Sequence, residues 1–304
     1  GALYDNPGLD MLALLCGSEG MLGIVTQVTV ALLPEPEKKS VILAGFKQVT
    51  DAGNAVASII GAGIIPAGME MMDKLAVQAA EQFAHAGYPL DAAAILIIEL
   101  DGAEAELSAV TAQVIDHLNA SGAYQIDQAD DAETQARLWK GRKSAFPAVG
   151  RLSPDYICMD GTIPRHQLAN VLTQIDELSE RFGLAVANVF HAADGNLHPL
   201  ILFDANVPGQ TDHAMAMGGE ILQCCVAAGG TVTGEHGIGV EKLDTMCVQF
   251  TSDELDQFFR IKDAMDPSGV LNPGKGIPTL TRCGELGGMH VHKGRLPFPE
   301  LERF

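Results

Sequence analysis

Most of the chain divides into short apolar runs and longer stretches in which apolar residues recur every three or four positions. The short runs, such as residues 92–100 and 184–191, have the length and composition of buried strands. The longer stretches, such as residues 103–120 and 165–182, have the periodicity of amphipathic helices. The predicted strands are residues 28–32, 41–46, 68–72, 92–100, 124–127, 155–160, 184–191 and 197–203. The predicted helices are residues 51–62, 73–86, 103–120, 131–146, 165–182, 213–228 and 253–265, with Asp51 and Ser252 as N-caps.

The order of these elements predicts an α+β fold built from repeated strand–helix modules. Alternating strands and helices are also compatible with a parallel α/β sheet. Because no phosphate-binding type of loop follows the predicted strands, we favour an antiparallel sheet with helices on one face, in ferredoxin-like repeats. Residues 184–191 and 197–203 are predicted to form a hairpin, since Asp194-Gly195-Asn196 suits its turn.

Breaks in the pattern divide the chain into four predicted segments. Pro34-Glu35-Pro36-Glu37 places a boundary after residue 37. Residues 38–250 contain the strand–helix modules, residues 251–276 contain a capped helix and a turn, and residues 277–304 are predicted to form an extended tail. The chain lacks an initial Met and opens as the middle of a domain would, so we expect it to be a fragment.

Composition and charge narrow the classes of function. The 304 residues are 47% hydrophobic and 19% charged, which is typical of a folded protein. The formal net charge of −20 repels phosphate backbones and acidic lipids, so we do not expect nucleic acid as a partner. No apolar run approaches the ~20 residues of a membrane helix, and no signal peptide is visible. We therefore expect a cytoplasmic protein without a transmembrane segment.

Three histidines and a glutamate are concentrated in two polar segments. His191 and His198 flank the predicted hairpin turn, so their rings can converge, and Glu235 and His236 lie in a glycine-rich segment. Two imidazoles and a carboxylate form a protein ligand set for an open metal site. We therefore predict that His191, His198 and Glu235 bind a divalent metal, Zn, Mn or Fe. The alternative is that each histidine is an ordinary hydrogen-bonded residue of the core or of a loop.

His236 is the predicted proton acceptor beside that metal. In an extended loop Glu235 and His236 would point in opposite directions, so that one binds the metal while the other faces a substrate. Imidazole titrates near neutral pH, which suits removal of a proton from a hydroxyl group. A hydrogen bond that supports a neighbouring ligand is the alternative role.

Two further segments contain candidate binding residues. Residues 138–143 are basic in an acidic chain, and Arg142 could pair with a substrate carboxylate. A solvated helix face explains these residues equally well. Gly17, Gly20 and Gly23 follow an apolar run and indicate either a backbone that passes close to another group or a tight turn between two strands.

Four segments, in this order, resemble one protein family. They are residues 17–26, 191–198, 234–237 and 271–275. Together they resemble the C-terminal family of FAD-linked oxidases within the vanillyl-alcohol-oxidase-type flavoproteins, and the similarity covers almost the whole chain. The last residues, 289–304, are most similar to those of the glycolate-oxidising members. The resemblance implies FAD-dependent oxidation of a small 2-hydroxy acid, glycolate or D-lactate, to the 2-oxo acid.

The same resemblance implies roles for segments and residues. Residues 1–37 would be the C-terminal part of an FAD-binding domain, residues 38–250 a substrate cap with the metal site, and residues 251–276 a return to the flavin. The residues implied to contact FAD are Gly17, Ser18, Gly20, Gly23, Ile24, Val25 and Asn272. Arg142 and Asn196 are implied to bind substrate, with His236 as the base and His191, His198 and Glu235 as metal ligands. The implied partners are a second flavin-domain subunit and an iron–sulfur subunit, which would hold the protein peripherally at the inner membrane.

The sequence departs from the family pattern in two places, and two other functions stay open. The N-terminal half of the flavin domain is missing, and residues 156–160 contain no Lys where some relatives carry a substrate-binding Lys. A metal-dependent hydrolase could use the same two histidines and Glu235 to activate a water molecule. A non-catalytic module that assembles with other subunits is the third hypothesis.

Overall fold

The computed structural model describes residues 8–278 and divides into two compact units. The larger unit runs from Pro34 to Gly234, and the smaller unit combines the residues before Pro34 with those from Glu235 onward. The second boundary precedes the predicted one at residue 250, because Gly239 accepts a hydrogen bond from Gly276 within the smaller unit. The predicted tail lies outside the described residues apart from its first two positions. The functions predicted for these segments stay predictions.

Seven strands of the larger unit form one sheet in which every adjacent pair is antiparallel. They are β1 (Lys38–Phe46), β2 (Gly68–Asp73), β3 (Ala94–Gly102), β4 (Ala123–Ala129), β5 (Asp155–Cys158), β6 (Val186–His191) and β7 (Pro199–Phe203). Their spatial order is β4-β1-β3-β2-β6-β7-β5. The first four strands have the order of a ferredoxin-like module, 4-1-3-2, so the predicted antiparallel α+β class is confirmed.

Helices of the larger unit contact both faces of this sheet, rather than the single face that we predicted. They are α2 (Val49–Gly61), α3 (Lys74–Ala84), α4 (Glu104–Ala120), α5 (Ala132–Lys143), α6 (Ala145–Val149), α7 (Leu168–Phe182) and α8 (Gln210–Ala227). Side chains of a strand alternate between its faces, yet β1 is buried continuously from Ser40 to Phe46. Val41 and Leu43 share a core with α3, α5 and α6, while α2 and α4 also contact β1 and β3.

The predicted hairpin is present as β6 and β7. Val186 pairs with Ile201 and Asn188 with Pro199, and an isolated bridge joins His191 to Asn196 at the turn. On its other side β6 pairs with β2, a contact between strands far apart in the sequence. The hairpin tip is therefore attached to the middle of the sheet.

The smaller unit contains α1 (Met11–Leu15), α9 (Met246–Gln249) and α10 (Ser252–Met265). A capping box of Thr251 and Glu254 starts α10, so the N-cap is Thr251 and not the predicted Ser252. The predicted strand at residues 28–32 is absent: residues 23–36 have no regular structure, and Val28 and Leu32 are 71% and 89% exposed. Alternating apolar residues do not make a strand unless a neighbour accepts their backbone hydrogen bonds. Within residues 8–278, no helix has the length and apolar character needed to cross a membrane.

Candidate active site

His191, at the end of β6, lies directly opposite Glu70 of β2 in the antiparallel ladder. His191 Nδ1 is 2.9 Å from Glu70 Oε1, while Glu70 Oε2 accepts bonds from Arg142 Nε at 2.9 Å and Arg142 Nη2 at 2.7 Å. Burial raises the pKa of Glu70, but the bond to His191 and the charge of Arg142 outweigh it and hold that pKa below its ordinary value. Glu70 is therefore an ionised carboxylate between a guanidinium and an imidazole.

The hairpin turn is tied to the segments around residues 162 and 231. Ile163 donates its backbone N–H to Gly195 at 2.9 Å, and Thr162 and Thr231 exchange backbone hydrogen bonds. Gly195 has a φ of +74°, and a Cβ at this position would overlap the carbonyl oxygen of Ile163. The turn therefore requires glycine both for its conformation and for this close approach.

Asp160 anchors the end of the larger unit. This fully buried residue accepts the N–H of Gly234 at its backbone oxygen, 2.7 Å away, and Thr233 Oγ1 donates to its carboxylate at 3.1 Å. A Cβ at Gly234 would overlap the side-chain oxygen of Asn196 in the hairpin turn. Glycine thus allows the chain to pass against the turn immediately before Glu235.

The predicted metal ligands converge. His191, His198 and Glu235 each offer a ligand atom, and these atoms all lie within 4.8 Å of one another. The two imidazole rings meet edge to face, with centroids 5.0 Å apart. Glu235 follows the anchored Gly234 directly in the chain.

This donor set fits the predicted metal. Two imidazoles and a carboxylate suit a divalent ion of intermediate softness. With His191 Nδ1 bonded to a carboxylate, a metal would be bound through Nε2, an arrangement common among histidine ligands.

The expectation that Glu235 and His236 point in opposite directions is wrong. His236 Nε2 lies 3.8 Å from Glu235 Oε1, because the chain turns here and Gly237 has a φ of +85°. The side chains of Glu235 and His236 are 51% and 42% exposed. The predicted base is therefore accessible and close to a predicted metal ligand.

The two predicted substrate-binding residues are both buried. Asn196 is 6% exposed, and its Oδ1 has no hydrogen-bond partner among residues 8–278. Arg142 is 8% exposed, so the alternative of a solvated helix face is wrong for this residue. Its pairing with Glu70 engages Nε and Nη2 and does not involve Nη1.

Several of the predicted flavin contacts lie together in the smaller unit. Asn272 Nδ2 donates to the backbone oxygen of Glu19 at 2.6 Å, and the Glu19 carboxylate accepts the N–H groups of Ile238 and Gly239, each at 2.7 Å. The turn at residues 17–23, the segment 238–239 and Asn272 thus form one hydrogen-bonded group.

Positive φ angles explain why glycine occupies two positions of that turn. Gly17 and Gly20 have φ angles of +78° and +72°, whereas a Cβ at Gly17, Gly20 or Gly23 would meet no described atom within 4 Å. Ile24 and Val25 are 79% and 69% exposed. The flavin contacts of these residues and of Ser18 stay predictions.

Glu70 and Asp160 are the site residues that sequence reasoning missed. Glu70 is the only charged residue between Gly68 and Met72, and Asp160 directly precedes Gly161 at the end of a predicted strand. A charged residue inside an apolar strand is costly to bury without a partner. That cost is the signal by which Glu70 could have been found.

The chain belongs to the family of FAD linked oxidases, C-terminal domain, whose model matches residues 35–276. It is 59% identical over 300 residues to the glycolate oxidase subunit GlcD of Escherichia coli K12, covering 99% of this chain and 60% of that protein. It is 30% identical over 276 residues to the mitochondrial D-lactate dehydrogenase [cytochrome] of Arabidopsis thaliana, covering 89% of this chain and 48% of that protein. The chain therefore spans about half to 60% of the length of these relatives.

Solved structures support the fold alone. p-Cresol methylhydroxylase aligns with a TM-score of 0.64 at 16% identity, covering 82% of this chain and 54% of that chain. Identity this low carries no information about substrate, but the similarity agrees with the vanillyl-alcohol-oxidase-type fold that the sequence motifs implied.

Proposed function

We propose that the complete protein oxidises a small 2-hydroxy acid, glycolate or D-lactate, to the corresponding 2-oxo acid with FAD as the electron acceptor. The observation that carries the proposal is the convergence of His191, His198 and Glu235, beside His236, in a chain of the FAD-linked oxidase family. Similarity to a glycolate oxidase subunit and to a D-lactate dehydrogenase supports the substrate class.

The substrate would be held through its hydroxyl and its carboxylate. His191, His198 and Glu235 would hold a divalent metal, which would polarise the hydroxyl and lower its pKa. Arg142 Nη1 and the Asn196 amide would bind the carboxylate and orient Cα.

Oxidation removes a proton from the hydroxyl oxygen and a hydride from Cα. His236 would accept the proton, because its ring is accessible and next to Glu235. FAD, when bound, would accept the hydride and supply the redox chemistry. The residues proposed to contact FAD are Gly17, Ser18, Gly20, Gly23, Ile24, Val25 and Asn272.

The proposed partners are a second flavin-domain subunit and an iron–sulfur subunit, which would take electrons onward and hold the protein at the inner membrane. The support is that the E. coli relative is named as a subunit of glycolate oxidase.

Replacement of the proposed base tests this function. In the complete gene product, His236→Ala should lower kcat with glycolate and D-lactate by about 10²–10⁴-fold, the range for loss of a general base. His213→Ala is the matched control, because His213 lies on α8 and its Nε2 is 2.9 Å from the backbone oxygen of Phe182. An unchanged rate in His236→Ala would refute the assignment, and a protein that turns over an ester without flavin would support the hydrolase instead.

A further inference from the structure

The geometry points to Glu70 as a positioning residue of the metal site, one that holds His191 in the tautomer and orientation needed for metal binding and is itself held by Arg142. This inference rests on the proposed function and extends the site to strand β2. It also gives Arg142 a structural task in addition to the proposed contact with substrate.

The position of Glu70 is fixed by the backbone before any side chain is considered. Glu70 and His191 are directly paired residues of β2 and β6, so their side chains leave the sheet on the same face and next to each other. The side chain of Glu70 is 12% exposed and that of His191 is 33% exposed. A short, shielded contact of this kind constrains the imidazole more than a surface ion pair would.

The contact with Glu70 determines which nitrogen of His191 carries the proton. The Glu70 carboxylate, which accepts two bonds from Arg142, also faces Nδ1 of His191 across the 2.9 Å contact, so Nδ1 is the nitrogen that donates. In this tautomer the ring's lone pair lies on Nε2, which is the form of histidine that binds a metal through that nitrogen. A neutral amide at position 70 could present either its oxygen or its NH₂ group, and the tautomer of His191 would no longer be fixed.

Arg142 fixes the carboxylate in turn. Its Nε and Nη2 both contact Glu70 Oε2, which leaves Oε1 for His191. The backbone that carries Arg142 is itself held, because Tyr88 donates its hydroxyl to Leu138 one turn earlier in α5, at 2.5 Å. Gly141 lies directly against the Tyr88 ring, so the helix cannot move closer. Arg142, Glu70 and His191 thus form a continuous chain of charged hydrogen bonds from α5 to the proposed metal.

The test is the affinity of the metal site, measured without reference to turnover. The complete gene product is stripped of metal with a chelator and titrated with Co²⁺, whose visible absorption bands report the geometry of its ligands. Glu70→Gln should weaken Co²⁺ binding by about 10–100-fold, the range for loss of an outer hydrogen-bond partner, and should change the shape of the bands. A residue that only stabilises the fold would lower the melting temperature but leave the bands unchanged.

Two further variants make the result decisive. Glu99→Gln is the matched control, because Glu99 lies on the neighbouring strand β3 and pairs with Lys39 at 2.9 Å. The Glu99→Gln variant should bind Co²⁺ with the affinity of the wild type. Glu70→Gln leaves the Arg142 charge buried without its partner and could unfold the protein. The double variant Glu70→Gln with Arg142→Gln removes that charge and should still bind Co²⁺ about 10–100-fold more weakly.

The outcomes separate this inference from the function on which it rests. Co²⁺ binding that is tight in the wild type, lost in His198→Ala and unchanged in both Glu70 variants would overturn the role of Glu70 and leave the metal site intact. A wild-type protein that binds no Co²⁺ would overturn the metal site and the role of Glu70 together.

Discussion

Three carboxylates, one buried and two partly buried, support the hairpin and its neighbouring segments, and each has a different set of partners. Glu70 is balanced by Arg142 and His191, and Asp160 accepts hydrogen bonds from Thr233 and Gly234. Asp73 has neutral donors: it caps α3 through the N–H of Ala76 and accepts bonds from the backbone and side chain of Asn188. These contacts pair Glu70 with a cation, whereas the hydrogen-bond donors to Asp73 are neutral.

Asp73 should make stability fall as the pH rises from about 4 to about 6. Burial raises the pKa of Asp73 from 3.8 to about 6, so the folded state binds this proton more readily than the unfolded state does. Its contribution to stability is complete below the unfolded pKa and is lost as the pH rises through the folded pKa, a loss of about 3 kcal/mol at 1.36 kcal/mol per unit. Asp73→Asn removes this term while keeping a residue that can cap a helix.

Chemical denaturation between pH 4 and pH 7 checks this prediction. The free energy of unfolding of the wild type, minus that of Asp73→Asn, should decrease across this range. Asp116→Asn, on the exposed surface of α4, should give a profile parallel to that of the wild type. Parallel profiles for the wild type and Asp73→Asn would show that Asp73 titrates normally.

At the scale of the elements, alanine substitution at two helical glycines should change the stability of the protein in opposite directions. Gly141 of α5 packs against Tyr88 and Ala86, and a Cβ there would overlap both, whereas a Cβ at Gly219 of α8 would meet no described atom within 4 Å. Gly219→Ala should stabilise the protein by about 0.5–1 kcal/mol through helix propensity. Gly141→Ala should destabilise it by about 1–3 kcal/mol through overpacking.

Urea denaturation of the two alanine variants measures both effects against one wild type. The expected result is a midpoint that rises for Gly219→Ala and falls for Gly141→Ala. Midpoints that shift equally would mean that α5 is not held tightly against Tyr88, and the anchoring of Arg142 would lose its support.

The elements that the sequence predicted well are those whose signal is local. Residues 94–98 of β3 form a continuous apolar run, and residues 186–190 of β6 are apolar apart from Asn188, because both faces of these strands are covered. Asp194-Gly195-Asn196 marks the hairpin turn directly. His191 and His198 could be paired from that turn alone.

The features that the sequence did not reveal depend on contacts between distant segments. Glu70 meets His191 across 121 positions, through a pairing of β2 with β6 that no local pattern records. Arg142 is buried where it pairs with Glu70, 72 positions away, so the local sequence supported a solvated helix face equally well. Residues 28–32 show the converse: their alternation is that of a strand, but the described residues offer no neighbouring strand.

At the scale of the whole molecule, the net charge of the chain opposes the binding of the proposed substrate. The proposed substrate is an anion, whereas the chain has a net charge of −20 and would repel it at long range. A divalent metal with one carboxylate ligand leaves a local charge of about +1, and Arg142 is shared with Glu70. Removal of the metal should therefore weaken substrate binding as well as catalysis.

The central claim, that this chain is part of a flavin-linked 2-hydroxy-acid dehydrogenase with a His-His-Glu metal site, is tested most directly by one anaerobic titration. The complete gene product, with its metal content measured in the same sample, is mixed with glycolate or D-lactate while its flavin absorption is followed. We predict a yellow protein that is bleached by one of these acids, loses the response on chelation and regains it when metal is restored. Bleaching that is equally fast after the metal is removed, or a complete protein without flavin, would contradict the account.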